Sequence, residues 1–163
     1  MTTIRQMTLA DLPAIDQVQQ ASFIEELWED MSLFQGILDK YDRASFVAEK
    51  RGIVLGYLLT HPSRIDRDDF ENGCEDLNSS EDHLYIHDLC VHPDGRGMGI
   101  ANLLLSKLEE FAKENGFHKF AGIAVQDAES FWLKQGLKQL KPYPYHGEPG
   151  TLMVKELLVK ELR

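Results

Sequence analysis

The sequence predicts an α/β three-layer sandwich with a mixed, mainly antiparallel central sheet. Three observations point there. Runs of β-branched and aromatic residues alternate with amphipathic helical periods, one glycine-rich turn carries a strand straight into a helix, and the chain closes on two strands linked by a proline- and tyrosine-rich turn. At 163 residues, one domain spanning 1–163 is the natural count, and it is long enough to bury a core.

Thr2 to Met7 reads as a first strand, and Thr8 with Asp11 as a capping box. Leu12, Ile15, Val18 and Phe23 then recur at helical spacing, with Pro13 tolerated in the first turn. A second helical segment is expected from about Glu26 to Lys40, with Leu27, Met31, Phe34, Ile37 and Leu38 on one side and an interruption at Gly36. Ser45 to Glu49 and Ile53 to Thr60 suit two strands joined by a tight turn at Arg51-Gly52. Pro62 opens an acidic stretch without apolar period, which predicts a long exposed loop over residues 61–83. A strand follows from Leu84 to Val91, ended by Pro93, and then a helix in which Ala101, Leu104, Leu105, Leu108 and Phe111 share a face and Gly116 gives the stop. Lys119 to Val125 reads as a strand and Ala128 to Gln135 as a short helix with Gly136 as its left-handed cap. Leu137 to Tyr143 and Thr151 to Leu158 are the closing strands.

The net charge of −10 argues against nucleic acid, whose phosphates need Lys and Arg. It suits a cationic partner such as an amine, or serves solubility alone. No apolar run reaches membrane-spanning length, the N-terminus lacks a basic-then-apolar signal, and two cysteines, Cys74 and Cys90, form no disulfide framework, so a cytoplasmic protein is expected. No cluster of ligand-type residues reads as a metal site.

The stretch from Leu84 to Glu110 organises the rest. Gly95, Gly97 and Gly99 fall between a strand and a helix, beside Arg96. The first N–H groups of a helix lack partners within it, its dipole favours negative charge, and glycines let the backbone approach a ligand. A phosphate or pyrophosphate is the natural guest. No Gly-Lys-Ser/Thr follows, and glycines at every second position do not make a dinucleotide fingerprint.

Arg96-Gly97-Met98-Gly99-Ile100-Ala101 resembles the Arg/Gln-x-x-Gly-x-Gly/Ala signature of the GNAT superfamily of acyl-CoA-dependent N-acyltransferases. The preceding Val91-His92-Pro93-Asp94 is similar to family members, and Phe131-Trp132-Leu133-Lys134-Gln135-Gly136-Leu137 resembles the family's Phe-Tyr-x-Lys-x-Gly-Phe. The likeness implies a GNAT-like fold, acetyl-CoA as cosubstrate and no metal. It also implies backbone contacts from Leu89, Cys90 and Val91 to the pantetheine arm, and a pyrophosphate held by Arg96, Gly97, Met98, Gly99, Ile100, Ala101 and Asn102, with Trp132 at the cofactor. The first two helices flank the acceptor site in the family, which makes Phe23, Trp28 and Phe34 candidate lining residues, together with Tyr143 and Tyr145 of the last turn. Members often pair as homodimers, although no stretch here marks an interface.

Acetyl transfer to an amine must remove a proton from the ammonium, stabilise an oxyanion and protonate a thiolate. The segment His83 to His92 looks most like the serotonin-type arylalkylamine N-acetyltransferases, which carry paired histidines here. His87 keeps one, Tyr85 stands at the other position, and His87 with Asp88 is the expected base. Strict alternation would put Tyr85 and His87 on one face of the strand and Asp88 on the other, unless a bulge intervenes. The alternative for His87 is a hydrogen-bonded place within the sheet. The family's tyrosine acid is replaced by Trp132, whose indole cannot supply a proton, so Tyr143, Tyr145, His146 or solvent must serve. The expected reaction is acetylation of a small primary amine, arylalkylamine or polyamine. The alternatives are acetylation of a protein N-terminus or lysine, and a non-catalytic acyl-CoA sensor.

Overall fold

Alternation along the strands decides which layer each side chain joins. In β2 (Phe46–Lys50), Phe46 and Ala48 face one side and Val47 the other; in β3 (Ile53–Ser63), Leu58 joins the first set, Tyr57 and Leu59 the second. The computed structural model describes residues 1–63, 83–125, 128–145 and 147–157. The acidic segment 64–82 with Cys74, residues 126 and 127, and His146 lie outside the described residues. The sheet runs β1 (Thr3–Gln6), β2, β3, β4 (His83–Val91), β5 (Lys119–Val125), β7 (Gly150–Glu156), β6 (Lys138–Pro142). Neighbours are antiparallel except β4 and β5. This is the mixed, mainly antiparallel sheet the sequence implies.

Helices α1 (Leu12–Ser22) and α2 (Met31–Lys40) cover one face, packing Ile15, Val18, Phe34 and Ile37 on Val47, Tyr57, Leu59 and Cys90. The opposite face takes α3 (Ile100–Glu114) and α4 (Glu129–Lys134), where Leu104, Leu108 and Trp132 meet Phe46, Leu58, Leu84 and Ile86. Fully burying an aliphatic side chain such as Leu104 or Leu108 stabilises the fold by roughly 1.5–3 kcal/mol each.

The capping box forms as the sequence predicts: the Thr8 N–H donates to Asp11 Oδ2 at 2.8 Å. Arg5 from β1 adds two hydrogen bonds to the same carboxylate, at 2.7 and 2.9 Å, and one to Glu49 of β2 at 3.2 Å. Those bonds hold the Asp11 carboxyl below the usual carboxylate range, the Arg5 hydrogen bond being the main cause. Arg51 and Gly52 take positive φ values of 53° and 78°, the hairpin turn expected between β2 and β3.

Two expected elements come out differently. The helix expected from Glu26 starts only at Met31; a short 3-10 turn, Glu25–Leu27, precedes it, and the Asp30 side chain caps α2 by accepting from the Ser32 N–H at 2.8 Å. Gly36 lies within α2 without breaking it. Pro62 does not open a loop: β3 continues to Ser63, with Pro62 opposite Leu84. Pairing with β2 ends at Phe46↔Leu58, so among the described residues no β2 ladder bond is lost to the missing N–H of Pro62.

Candidate active site

The site begins with an irregularity in β4. Leu59 pairs with Asp88 but the next residue, Thr60, pairs with Ile86, so His87 is an extra residue bulged from the ladder. The parallel pairing with β5 stops at Ile86↔Gly122, although β4 continues to Val91 and β5 to Val125. The strands part here, and a cleft enters the sheet between Ile86–Leu89 on one side and Ile123 and Val125 on the other. The bulge answers the question of facing: consecutive His87 and Asp88 both line the cleft with Tyr85. Phe23, Leu27, Glu29, Ala128, Trp132 and Tyr145 complete its wall.

A polar cluster occupies one end. Tyr145, from the turn between β6 and β7, donates its hydroxyl hydrogen to Glu29, and its oxygen lies 3.3 Å from His87 Nε2. His87 Nε2 is 3.8 Å from Glu29 Oε1, with side chains 4% and 8% exposed. Gln19 of α1 holds Glu29 from behind: its amide accepts from the Glu29 N–H at 2.9 Å and donates to the Glu29 carbonyl at 2.7 Å. Beside His87 lies His61 of β3, wholly buried, with ring centroids 5.8 Å apart. Tyr85 packs edge-on to both rings.

Burial pushes the Asp88 carboxyl up to about 7, against the opposing effect of a 2.6 Å hydrogen bond from the Tyr57 hydroxyl. Burial also pushes the Cys90 thiol up to about 12, so this thiol is a packed core group and no nucleophile. The Tyr145 phenol is raised above its ordinary value, first by burial and then by Tyr85 and Glu29, so it stays un-ionised and acts through its hydrogen bonds.

The glycine loop leaves β4 through a 3-10 turn at Pro93–Gly95, closed by His92 Nδ1 accepting from the Asp94 N–H at 3.0 Å. A Cβ on Gly95 would meet Ile100 Cδ1 at 2.9 Å; this close approach seats the start of α3 on the sheet. Gly97 and Gly99 take φ values of 81° and 71°, and the space where each Cβ would stand is open. The first-turn N–H groups of α3 and the exposed Arg96 border that space, a donor set and shape that fit a pyrophosphate. Met98 is exposed, Ile100 is buried under the loop, Ala101 is partly buried, and Asn102 Oδ1 accepts from Gln135 of the turn after α4 at 2.9 Å.

Of the residues singled out from sequence, Tyr85, His87, Asp88, Leu89, Trp132, Phe23 and Tyr145 meet at the cleft. Cys90 and Val91 follow on the same strand, but the Val91 carbonyl already accepts from the Ser22 hydroxyl at 3.2 Å. Tyr143 packs beside Tyr85, Ala121 and Leu152. Phe34 lies in the core, 0% exposed and edge-on to Tyr57, and Trp28 stands off the cleft wall, its indole N–H donating to the Phe23 carbonyl at 2.9 Å. Sequence reasoning missed Glu29, His61 and Gln19. A carboxylate just ahead of the Asp30 cap was the one signal for Glu29; nothing marked the other two.

Residues 8–137 match the acetyltransferase (GNAT) family. The chain is 28% identical, over 94% of its length and 90% of the relative's, to an uncharacterized N-acetyltransferase of Methanocaldococcus jannaschii. Among solved structures, the yncA protein of Salmonella typhimurium with its cofactor acetyl-CoA superposes with a TM-score of 0.68 at 23% identity, over 96% of this chain and 94% of that one. A ribosomal-protein-alanine N-acetyltransferase of Brucella melitensis gives 0.67 at 25% identity, over 95% and 99%.

Proposed function

This chain belongs to the acetyltransferase (GNAT) family and is an acetyl-CoA-dependent N-acetyltransferase, and from that premise we propose that its acceptor is a small primary monoamine with an apolar or aryl body. The observation that carries the reading is the Glu29–Tyr145–His87 cluster at one end of an otherwise apolar cleft. A nearly buried carboxylate beside a phenol and an imidazole suits one ammonium, and Phe23, Leu27, Ile123 and Trp132 suit the carbon frame behind it. A polyamine needs a second anion. Asp88, with its carboxyl pushed up to about 7 and already accepting from Tyr57, serves poorly as one. This leaning toward arylalkylamines agrees with the likeness of the His83–His92 strand to their acetyltransferases.

Acetyl-CoA supplies the activated acetyl group when bound. The chain's own residues do the rest. The turn from Arg96 to Asn102 offers positive charge and backbone donors to the pyrophosphate, and the freed edge of β4 at Leu89 to Val91 offers backbone groups to the pantetheine amides. Glu29 holds the ammonium within reach of His87 Nε2, which takes its proton, while Tyr145 and Trp132 keep water from the acceptor end. With the one Tyr145 hydroxyl hydrogen given to Glu29, the departing thiolate takes its proton from solvent.

A second reading takes the α-amine of a peptide as acceptor, favoured by the likeness to the Brucella enzyme that acetylates an alanine of a ribosomal protein. One experiment separates the readings: acetyl-CoA binding by calorimetry, then thiol release with tyramine, tryptamine, spermidine and a hexapeptide beginning with alanine. Tyramine or tryptamine should turn over fastest, and His87→Ala should lower kcat by about 10²-fold or more with acetyl-CoA affinity kept. Turnover of the peptide alone would replace the first reading with the second, and tight binding without any turnover would leave an acyl-CoA sensor.

A further inference from the structure

Two buried nitrogens in the cluster meet no hydrogen-bond partner among the described residues: His61 Nε2 and His87 Nδ1. They belong to neighbouring rings whose centroids are 5.8 Å apart, on adjacent strands, with His61 fully buried and the His87 side chain 4% exposed. The hydrogen positions follow from what each ring touches on its other side. His61 Nδ1 faces the Pro62 carbonyl at 3.0 Å, a group that only accepts, so Nδ1 carries the hydrogen and Nε2 is bare. The Tyr145 hydroxyl has one hydrogen and gives it to Glu29, so its 3.3 Å contact with His87 Nε2 is a bond donated by His87, which leaves His87 Nδ1 bare as well. Two bare acceptors in a buried space leave a two-hydrogen donor as the group that satisfies both. A buried polar nitrogen left unpaired destabilises the fold, and a water with two partners or more is the usual remedy.

We propose that an internal water bridges His61 Nε2 and His87 Nδ1, and that His61 is thereby a positioning residue for His87. The inference rests on the reading of His87 as the group that takes the acceptor's proton.

The bridge gives His61 a task that packing alone does not need. With its hydrogen on Nε2 the resting ring cannot take a proton there, so His87 must first exchange tautomer. It loses the Nε2 hydrogen to solvent in the cleft while Nδ1 gains one from the bridging water, whose own hydrogen solvent restores. Once the ammonium's proton arrives, the ring is a donor at both nitrogens. That Nδ1–H then requires an acceptor inside the protein. The same water turns to accept it while still donating to His61 Nε2, so the ring changes state without moving a heavy atom. The proton passes from the ammonium to His87 Nε2 and stays on that ring; no other group changes its proton count. Burial holds His61 down to about 4, so it remains neutral and an acceptor throughout. His87 and, more weakly, Lys40 at the end of α2 add to that lowering.

Two variants and a crystal structure of the unliganded enzyme to about 1.5 Å test the bridge. His61→Gln keeps an acceptor where Nε2 stands, and His61→Leu removes it. Density for one water within hydrogen-bond distance of both rings, together with a kcat lowered about 10- to 100-fold in His61→Leu and largely restored in His61→Gln, supports the proposal. The Kd for acetyl-CoA and the amine KM should be near wild type in both variants, since a merely structural defect would move them too. Absence of that water, or equal loss of kcat in the two variants, overturns it. Wild-type turnover in His87→Ala instead overturns the reading beneath, and the bridge then stands or falls by the density.

Discussion

Glu29 shows how one carboxylate gathers the polar groups at one end of a cleft. It is nearly buried, touched by a phenol hydroxyl and by a histidine at 3.8 Å, and its backbone is gripped at both ends by one glutamine. Glu29→Gln keeps the shape and the hydrogen bond from Tyr145 but removes the charge. Steady-state kinetics should then show the amine KM raised about 10- to 100-fold with acetyl-CoA affinity unchanged; equal KM values for wild type and variant would remove Glu29 from ammonium binding. Its neighbours explain why this residue was illegible in the sequence. Between Phe23 and Met31 the chain follows a 3-10 turn and an extended cap, so no helical or strand period says which side chain points inward. The family resemblance, applied to the aromatics of the first two helices, selected Trp28 and Phe34, which stand off the cleft wall. Tyr85, His87 and Asp88 were legible because they lie on a strand whose pattern is local, although the bulge that turns both His87 and Asp88 into the cleft depends on pairing with β3.

At the scale of elements, the strand–loop–helix unit from β4 to α3 could be read directly: its apolar run, its glycines and its helical period are contiguous in sequence, and each states a local conformation. The end of β3 could not. Pro62 is a turn signal in isolation, and only the absence of a β2 partner beyond Leu58 makes it admissible in a strand. The acceptor end also depends on helix α1, because Gln19 fixes the segment that carries Glu29. Gln19→Leu fills the same volume without the amide and removes its two hydrogen bonds to the Glu29 backbone, each worth about 0.5–1.5 kcal/mol. Urea melts should show that loss, and kinetics should show a raised amine KM beside an unchanged acetyl-CoA Kd. A loss of stability with the amine KM intact would make Gln19 a structural residue only.

At the scale of the molecule, two buried groups titrate against each other. His61 is held down to about 4 by burial, so its neutral form stabilises the fold above about 6.5, its ordinary value, and that contribution is lost as pH falls toward 4. Asp88 is pushed up to about 7, so its protonated form stabilises the fold below about 4, and that contribution is lost as pH rises through 7. Between pH 4 and 6.5 the two slopes oppose, each at most about 1.4 kcal/mol per pH unit. Asp88→Asn should therefore make stability climb more steeply with pH across that window, and His61→Gln should make it fall, as read from urea midpoints at successive pH values. Unchanged slopes would show that neither group is shifted as its burial demands. The bond between Tyr145 and Glu29 joins positions 116 residues apart, whereas the glycine loop closes within a single strand–helix unit. Loop-closure entropy weighs far more on the first than on the second. The two halves of the proposed site therefore differ in contact order: the glycine loop rests on short-range contacts, whereas the polar cluster is completed only when two segments 116 residues apart meet.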